Sequence, residues 1–342
     1  MRFLQFVLAL LLLAVLAGFA AGTYFATVPA GSAAETFVDL PAGAGTDGIA
    51  LRLKAAGIIR SRFAFDLYKK LHGGNLRAGE YRFTEPATLP EVFSRIARGD
   101  VYTHTLVIPE GFNIFDIAAA VQTAGLGDSA AFLAAERRDR TLIADLSPDA
   151  SSLEGYLFPD TYHFSRHTSA DQMLALMVKR FRAVSKQIGL AQTPDLARTV
   201  ILASLVEKEV RVADERPLVA GVFENRIAQR MPLATDPSVI YAALLAGRWR
   251  GTIHRSDLDF ASPYNTYRQP GLPPGPIANP GVASLQAAMH PARTDYLYFV
   301  ADADGHTRFS VDLKEHAAQV QDYRKAIQAA AQPQTVNPSG PR

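Results

Sequence analysis

The sequence predicts an α+β fold that is attached to a membrane by an N-terminal helix. An uncharged apolar stretch opens the chain, a small strand–turn–helix unit then occurs twice, and the rest mixes long helical patterns with a few short apolar strands. The strands do not alternate regularly with helices, which disfavours a parallel α/β sheet. We therefore expect a transmembrane helix, a small strand and helix module, and a larger mixed α+β domain.

Composition excludes several classes of protein. The 342 residues suffice for about two domains, and 48% hydrophobic with 20% charged residues is typical of a folded chain. The 35 basic and 33 acidic residues leave a net charge of +2, which argues against a dedicated nucleic-acid binder. The chain has no cysteine, so disulfides, thiol nucleophiles and cysteine-ligated metals are excluded.

The N-terminal segment is the first predicted element. No charged residue lies between Phe3 and Ala34, and about 20 apolar residues in a helix cross a bilayer. A cleaved signal peptide is the alternative, but its apolar region is usually only about 7–15 residues long, which favours a retained anchor over residues 1–30. Arg2 precedes the segment, and acidic residues follow it before Arg52. The positive-inside rule then predicts a single-pass protein of the cytoplasmic (inner) membrane, with a cytoplasmic N-terminus and the remainder on the outer, periplasmic side.

A repeated unit follows the anchor and predicts the small module over residues 36–135. Each copy begins with a short strand, Phe37–Leu40 or Thr105–Ile108, passes a Pro-x-Gly turn, and ends in a helix closed by Ala-Gly, where glycine suits a left-handed cap. Leu76–Phe83 predicts a further strand between the copies. The residues that recur at one constant spacing are Pro41, Gly43, Ile49, Ala50, Ala56 and Gly57, matched by Pro109, Gly111, Ile117, Ala118, Ala124 and Gly125.

Longer helices predict the mixed α+β domain over residues 150–330. Helical patterns cover Asp171–Ile188, Pro194–Val210 and Pro217–Ala228. The apolar run Asp295–Val300 predicts a strand that pairs with Phe309–Val311. The remaining segment, 331–342, is rich in Ala, Gln and Pro, and we expect a disordered tail there.

Two motifs suggest ligand chemistry that their contexts do not support. Gly43–Gly48 matches the dinucleotide pattern G-x-G-x-x-G, but Pro41 interrupts the entry and the second copy of the repeat keeps only Gly111. His163 and His167 have the i, i+4 spacing of metal ligands on a helix, without an H-E-x-x-H pattern. Surface histidines are the favoured interpretation, and metal ligands are the lesser alternative.

A glutamate at the end of a predicted helix, Glu207, is a candidate for acid–base chemistry. Glu207 follows an apolar stretch with scarcely a polar break, so the helix can place it on a largely buried face. Burial disfavours the carboxylate and raises its pKa, which is what a general acid near neutral pH requires. The alternative is that Glu207 and Glu209 are solvated charges at a helix end.

Four loops rich in Pro, Gly, Tyr, Asn and Thr favour a groove for an extended polar polymer. They are Leu153–Tyr162, Leu233–Tyr241, Ser262–Tyr267 and Gly271–Gly281. Aromatic rings pack on the apolar faces of sugars, while amides and hydroxyls bind sugar hydroxyl groups. Because Pro and Gly mark turns in every kind of protein, a purely structural role stays open for each loop.

Taken together in their order, these motifs carry a family resemblance. The succession Ser152–Tyr162, Leu202–Glu209, Thr235–Tyr241, Ser262–Tyr267 and Gly271–Ile277 resembles the MltG-type (YceG-like) endolytic murein transglycosylases. The resemblance continues through Ala288–Ala292 and Tyr296–Ala301 and covers nearly the whole chain.

The resemblance implies a lytic transglycosylase that cuts peptidoglycan between N-acetylmuramic acid and N-acetylglucosamine. It leaves a 1,6-anhydromuramic end and terminates nascent glycan strands near the membrane. The resemblance also implies that the repeat is a LysM-like module and that Glu207, the first glutamate of Val-Glu-Lys-Glu, is catalytic. The residues implied to bind substrate are Glu154, Tyr156, Asp236, Tyr264, Asn265, Thr266 and Tyr267. No metal or other cofactor is implied, and the expected partners are peptidoglycan strands, the membrane and cell-wall synthases, without nucleic acid.

A single acid is sufficient for this reaction. The C6 hydroxyl of the muramic residue attacks its own anomeric carbon, while Glu207 would protonate the leaving oxygen and then accept the hydroxyl proton. One departure from the family pattern is Ala234, where many relatives carry glutamine, and it puts one polar contact to substrate in doubt. The main alternative is a non-catalytic, membrane-anchored scaffold that binds glycan. A metal-dependent peptidoglycan peptidase with His163 and His167 as ligands is the lesser alternative.

Overall fold

The structure is a computed structural model that describes residues 2–210, 212–302 and 304–331. The helices are α1 (Arg2–Thr27), α2 (Thr46–Ala55), α3 (Arg62–His72), α4 (Leu89–Arg98), α5 (Ile114–Thr123), α6 (Ser129–Arg138), α7 (Ala170–Gln187), α8 (Leu196–Glu209), α9 (Arg216–Ala228), α10 (Asp236–Leu245), α11 (Arg255–Leu258), α12 (Val282–Met289) and α13 (Leu313–Ala331). The strands are β1 (Thr36–Leu40), β2 (Gly79–Phe83), β3 (His104–Val107), β4 (Thr161–Phe164), β5 (Tyr298–Ala301) and β6 (Thr307–Ser310). The strands pair as β1–β2, β3–β4 and β5–β6, so the fold is mixed α+β, as the sequence predicts.

Helix α1 is long and apolar enough to cross a membrane. Its 26 residues extend for about 39 Å at a rise of about 1.5 Å each, against about 30 Å for the hydrocarbon core of a bilayer. None of its apolar window is buried within the protein. The predicted N-terminal helix is therefore present, and its composition and exposure fit a single-pass anchor.

The chain divides into two compact units. One contains the residues up to Thr105 together with His163–Thr168, and the other contains Leu106–Tyr162 and the chain from Ser169 onward. The two copies of the repeat thus fall mainly in different units, although they share their local geometry. Gly43 and Gly111 have φ of 81° and 80°, in the left-handed region that the tight turn requires. The boundaries 36–135 and 150–330 stay predictions.

In the first unit, a two-stranded antiparallel sheet packs with three helices. Strands β1 and β2 pair with Val38 opposite Tyr81. Their inward side chains meet apolar residues of α2, α3 and α4, and Leu53, Phe65 and Ile96 are fully buried in this core. The alternation of buried and exposed residues along β1 is what a strand with one covered face produces.

In the second unit, α8 lies at the centre of the packing. Its side chains from Val200 to Val206 are almost all buried, because α9, α10 and α12 pack around it. Helix α9 approaches its neighbours so closely at Gly221 that an added Cβ would collide with the backbone oxygen of Ala292. The hairpin of β5 and β6 packs against α13.

The predicted elements agree closely with those observed, with one difference of physical interest. The helices predicted at Asp171–Ile188, Pro194–Val210 and Pro217–Ala228 are α7, α8 and α9, with ends shifted by two residues or fewer. The strand predicted from Asp295 begins only at Tyr298. Side chains of α9 bond to the backbone carbonyl groups that precede Tyr298. Asn225 donates to the oxygens of Thr294 and Tyr296, and Arg226 donates to that of Leu297. The tail predicted at 331–342 lies, from residue 332, outside the described residues.

Candidate active site

The two glutamates at the end of α8 point to different surroundings. Glu207 and Glu209 are two positions apart, which turns their side chains to nearly opposite sides of the helix. One glutamate can therefore serve the packing of the second unit while the other faces a pocket.

Glu207 is held by protein groups on both of its carboxylate oxygens. Oε1 accepts from Arg216 at 3.2 Å, and the two side chains are only 6% and 9% exposed. Oε2 accepts from the backbone N–H of Gly281 at 3.0 Å, directly before α12, where the helix dipole favours a negative charge. Burial and the negative charge of Glu207 raise the pKa of the neighbouring Glu110 carboxyl, while Arg216 opposes the shift. Glu207 thus joins α8 to α9 and α12.

Glu209 lines a pocket of about 390 Å³. The other residues around this pocket are Arg226, Leu233, Ala234, Thr235, Asp236, Tyr267, Tyr298, Phe299, Leu313 and His316. Burial raises the pKa of Glu209 to about 7, and the charge of Asp236 adds to the rise while Arg226 opposes it.

Asp236 and Tyr267 form a hydrogen-bonded pair at the same pocket. Asp236 is the first residue of α10 and is exposed, and the Tyr267 hydroxyl donates to its Oδ1 at 2.7 Å. The pair thus brings a carboxylate and a phenol ring to the pocket that Glu209 lines.

The loop before α10 is fixed by buried hydroxyl groups. Thr266 Oγ1 accepts from the backbone N–H of Thr235 at 3.0 Å and lies 2.7 Å from Ser238 Oγ. Ala234 has φ of 52° and donates its N–H to the backbone oxygen of Thr266 at 3.1 Å. Asn265 is fully buried. Its amide donates to the backbone oxygens of Leu258, at the end of α11, and of Phe260, at 2.9 Å each. Asn265 and Thr266 therefore support the pocket wall from behind.

Three further predicted substrate-binding residues are buried in the second unit. Glu154 is 1% exposed, and it accepts from the Ile114 N–H at 2.9 Å and from the Asn279 amide at 2.8 Å. Burial raises the pKa of Glu154 to about 8. Tyr156 is 1% exposed and Tyr264 8% exposed. Burial disfavours direct contact between these three side chains and a substrate. Their role in substrate binding stays a prediction.

Sequence reasoning missed several residues that line the pocket. Among them are Glu209, which shares its motif with Glu207, and Arg226, whose guanidinium lies 5.2 Å from the ring centre of Tyr298. His316 of α13 stacks on that ring at 5.2 Å, and burial lowers its pKa. Helical periodicity marks Glu209 as well as Glu207, but residues distant in sequence, such as Tyr298 and His316, carry no local signal of their placement.

His163 and His167, the two candidate metal ligands, both belong to the first unit. His163 is on strand β4 and lies within 3.3 Å of Thr105 Oγ1, and His167 Nε2 lies 2.6 Å from Asp39 Oδ1. In the described ranges, no three His, Asp or Glu side chains are grouped so as to hold a metal ion. The helical spacing suggested by i and i+4 is not realised, because His163 belongs to a strand.

The pocket is suited to acid–base chemistry on a polar ligand. A carboxyl with a pKa of about 7 exchanges a proton readily near neutral pH, and the adjacent carboxylate and phenol groups can bind hydroxyl groups. Together with the α+β fold, these features indicate an enzyme that uses a carboxyl group for acid–base chemistry. Sequence comparison makes the assignment specific: a model of the YceG-like family matches residues 38–322, and the chain belongs to that family.

Characterised relatives support the same assignment. The endolytic murein transglycosylase of Bacillus subtilis (strain 168) is 35% identical over 299 residues, which cover 82% of this chain and 82% of that protein. The endolytic murein transglycosylase of Streptococcus pneumoniae (serotype 2, strain D39) is 29% identical, with 86% of this chain and 60% of that protein covered. A crystal structure of a YceG-like protein from Listeria monocytogenes aligns with a TM-score of 0.56 and 32% identity, over 84% of this chain and 99% of that one.

Proposed function

We propose that this chain is an endolytic lytic transglycosylase that cleaves the glycan strands of peptidoglycan. Relatives that carry this name match most of the chain. The observation that carries the chemical proposal is the Glu209 carboxyl, which lines a pocket, has a pKa raised to about 7, and has Asp236 and Tyr267 beside it. The bond cut lies between N-acetylmuramic acid and N-acetylglucosamine, and the reaction ends nascent strands.

Glu209 would serve first as acid and then as base. The protonated carboxyl donates its proton to the glycosidic oxygen as the bond to the anomeric carbon breaks. The C6 hydroxyl of the same muramic residue forms the new bond to that carbon, and Glu209 accepts the hydroxyl proton. One carbon–oxygen bond breaks and another forms, no water is consumed, and the carboxyl returns to its initial state. The attacking group belongs to the substrate, which gives it a high effective concentration.

Asp236 and Tyr267 would support this cycle from the side of the pocket. The charge of Asp236 contributes to the raised pKa of Glu209, so the acid form is populated near neutral pH. The Tyr267 ring is 39% exposed, which leaves apolar surface for a sugar ring. The hydrogen bond between the two side chains holds them in place before substrate binds.

The geometry favours Glu209 over Glu207 as the acid. Both oxygens of Glu207 are already occupied, by Arg216 and by the Gly281 N–H. The ion pair and the backbone hydrogen bond fix Glu207 within the packing of α8, α9 and α12, whereas Glu209 lines a pocket. Catalysis by Glu207 stays a prediction, and a direct comparison of the two variants decides between them.

The remaining parts of the chain have proposed roles around this reaction. Helix α1 would anchor the protein in the cytoplasmic membrane with the N-terminus in the cytoplasm, because its first residue is Arg2 and acidic residues follow the helix. The strand–turn–helix units of the repeat would form a LysM-like module that binds glycan. Cell-wall synthases are the proposed protein partners, since strand termination at the membrane occurs where strands are made.

The test of this function is the identity of the product. Full-length protein in detergent micelles is incubated with purified peptidoglycan, and the soluble fragments are analysed by mass spectrometry. We expect 1,6-anhydromuramic ends. Reducing ends would indicate a hydrolase, free stem peptides whose release stops with a chelator would indicate a metal-dependent peptidase, and glycan binding without any product would indicate a scaffold.

A further inference from the structure

Helix α3 of the first unit has an apolar face that is only partly covered. Phe65 is fully buried in the core of the unit, yet Phe63, Leu67 and Leu71 are 76%, 44% and 72% exposed. Their i, i+4, i+8 spacing places these three side chains along one side of the helix. This exposed stripe is defined here as Phe63, Leu67 and Leu71. Contiguous apolar surface of this kind marks an interaction site in a folded protein.

The exposed stripe adjoins the last turns of the apolar helix α1. A cleft of about 430 Å³ separates the two helices, and its walls are largely apolar. Residues of α1 that line it include Gly18, Phe19 and Gly22, and residues of α3 include Leu67, Tyr68 and Leu71. Two members of the stripe therefore share one apolar surface with the segment that is suited to cross a membrane.

Polar contacts fix the end of α1 to the first unit. Arg60 donates to the backbone oxygens of Val28 at 2.6 Å and Pro29 at 2.7 Å. Ala30 and Ala87 exchange two backbone hydrogen bonds of 2.8 Å. Because these contacts join the end of α1 to the residues that precede α3 and α4, the first unit is not free to swing on a linker. Helix α3 is held beside the end of α1.

Basic residues lie on the same helix as the exposed stripe. Lys70 is exposed beside it, and Arg62 is exposed and lies 3.6 Å from the exposed Asp47 of α2. Asp66 is the one acidic residue of α3. An apolar stripe bordered by basic side chains is the pattern of a helix that lies in a membrane interface, where the charges meet anionic headgroups.

We propose that α3 lies in the surface of the membrane that α1 spans, in the leaflet where α1 ends. The exposed stripe inserts among the outer parts of the acyl chains, and Arg62 and Lys70 bind anionic headgroups. The occupant of this face is thus the lipid bilayer, which covers α1 and the stripe as one continuous apolar surface. The proposal rests on the proposed anchoring by α1. Its consequence is that the first unit is held in a defined orientation against the membrane.

The absence of cysteine makes a direct test possible. Single cysteines are introduced in the full chain by the substitutions Leu67→Cys, Leu71→Cys, Leu51→Cys and Leu12→Cys, and each is labelled with an environment-sensitive fluorophore. Leu51 is the matched control, because it is 52% exposed on α2 of the same unit. Leu12, in the middle of α1, reports whether the anchor is inserted. The proteins are reconstituted in vesicles of phosphatidylcholine and phosphatidylglycerol that contain lipids spin-labelled on the acyl chain.

We expect blue-shifted emission and quenching at positions 67, 71 and 12, with quenching at 67 and 71 at least about twofold above that at 51. Replacing Arg62 and Lys70 by Gln, or omitting the anionic lipid, should reduce quenching at 67 and 71 and leave that at 12 unchanged. Quenching at 12 with positions 67 and 71 as accessible as 51 would overturn the proposal and leave the anchor intact. A shielded but unquenched label at 67 would also overturn it, since protein would then cover the stripe. No quenching at 12 would overturn the anchor and this proposal together.

Discussion

The raised pKa of Glu209 predicts that removing its charge stabilises the protein at alkaline pH. The pKa lies at about 7 in the folded chain against an ordinary value of 4.5. Between these two values the folded state binds more protons than the unfolded state, so the free energy of unfolding falls as the pH rises through this interval. The substitution Glu209→Gln removes this dependence and keeps the size of the side chain.

The size of the effect follows from the interval between the two pKa values. About 2.5 pH units at about 1.4 kcal/mol each correspond to about 3.5 kcal/mol in total, of which about 3 kcal/mol develops between pH 4.5 and pH 8. Relative to the wild-type protein, the Glu209→Gln variant should therefore gain about 3 kcal/mol in the free energy of unfolding between pH 4.5 and pH 8.

Urea unfolding of both proteins at several pH values, in the same detergent, measures this difference. Glu85→Gln is the matched control, because Glu85 is exposed and its substitution should leave the difference from wild type constant with pH. If the difference between Glu209→Gln and wild type does not change between pH 4.5 and pH 8, the carboxyl titrates like an exposed group. The assignment of Glu209 as an acid near neutral pH would then be wrong.

Three further predictions concern the Glu209 pocket and the packing of α9. The kcat/KM for peptidoglycan cleavage should fall about tenfold per pH unit above pH 7, because only protonated Glu209 donates a proton; a profile that stays flat to pH 9 would contradict this. Tyr267→Phe removes the hydrogen bond to Asp236 and should lower kcat/KM about tenfold, with little change in the urea midpoint. Gly221→Ala should destabilise the protein by about 1–3 kcal/mol in urea unfolding, because its Cβ meets the backbone of Ala292; an unchanged midpoint would show that α9 can move away.

Local patterns predicted most of the fold. The apolar periodicity of α7, α8 and α9 gives their positions closely, because the signal lies within the helix itself. The late start of β5 shows where local patterns fail: the carbonyl groups before Tyr298 bond to side chains of α9, some 70 residues earlier in the sequence. A backbone segment with apolar side chains is not a strand when side chains from elsewhere occupy its hydrogen-bonding groups.

The site was less accessible to sequence reasoning than the fold. The motif Val-Glu-Lys-Glu directs attention to the end of α8, but a helix buried on several sides gives no local reason to prefer one of its two glutamates. The distinction depends on Arg216 and Gly281, which bond to Glu207, and on Asp236 and Tyr267, which join Glu209 at the pocket. Polar residues in a motif also serve as buried supports, as Glu154 and Asn265 do, and only their burial separates that role from contact with a ligand.

The most direct test of the account compares the two glutamates of α8 by the same substitution. Wild-type protein, Glu209→Gln and Glu207→Gln are incubated with peptidoglycan, and the rate at which anhydromuramic ends form is measured per folded molecule. Glu209→Gln should lower this rate by at least about 100-fold, because general acid–base catalysis contributes about 10²–10⁴. Glu207→Gln should reduce stability, because it leaves Arg216 buried without its charged partner, and should retain cleavage per folded molecule. Unchanged cleavage by Glu209→Gln together with its loss in Glu207→Gln would contradict the account and assign the acid to Glu207.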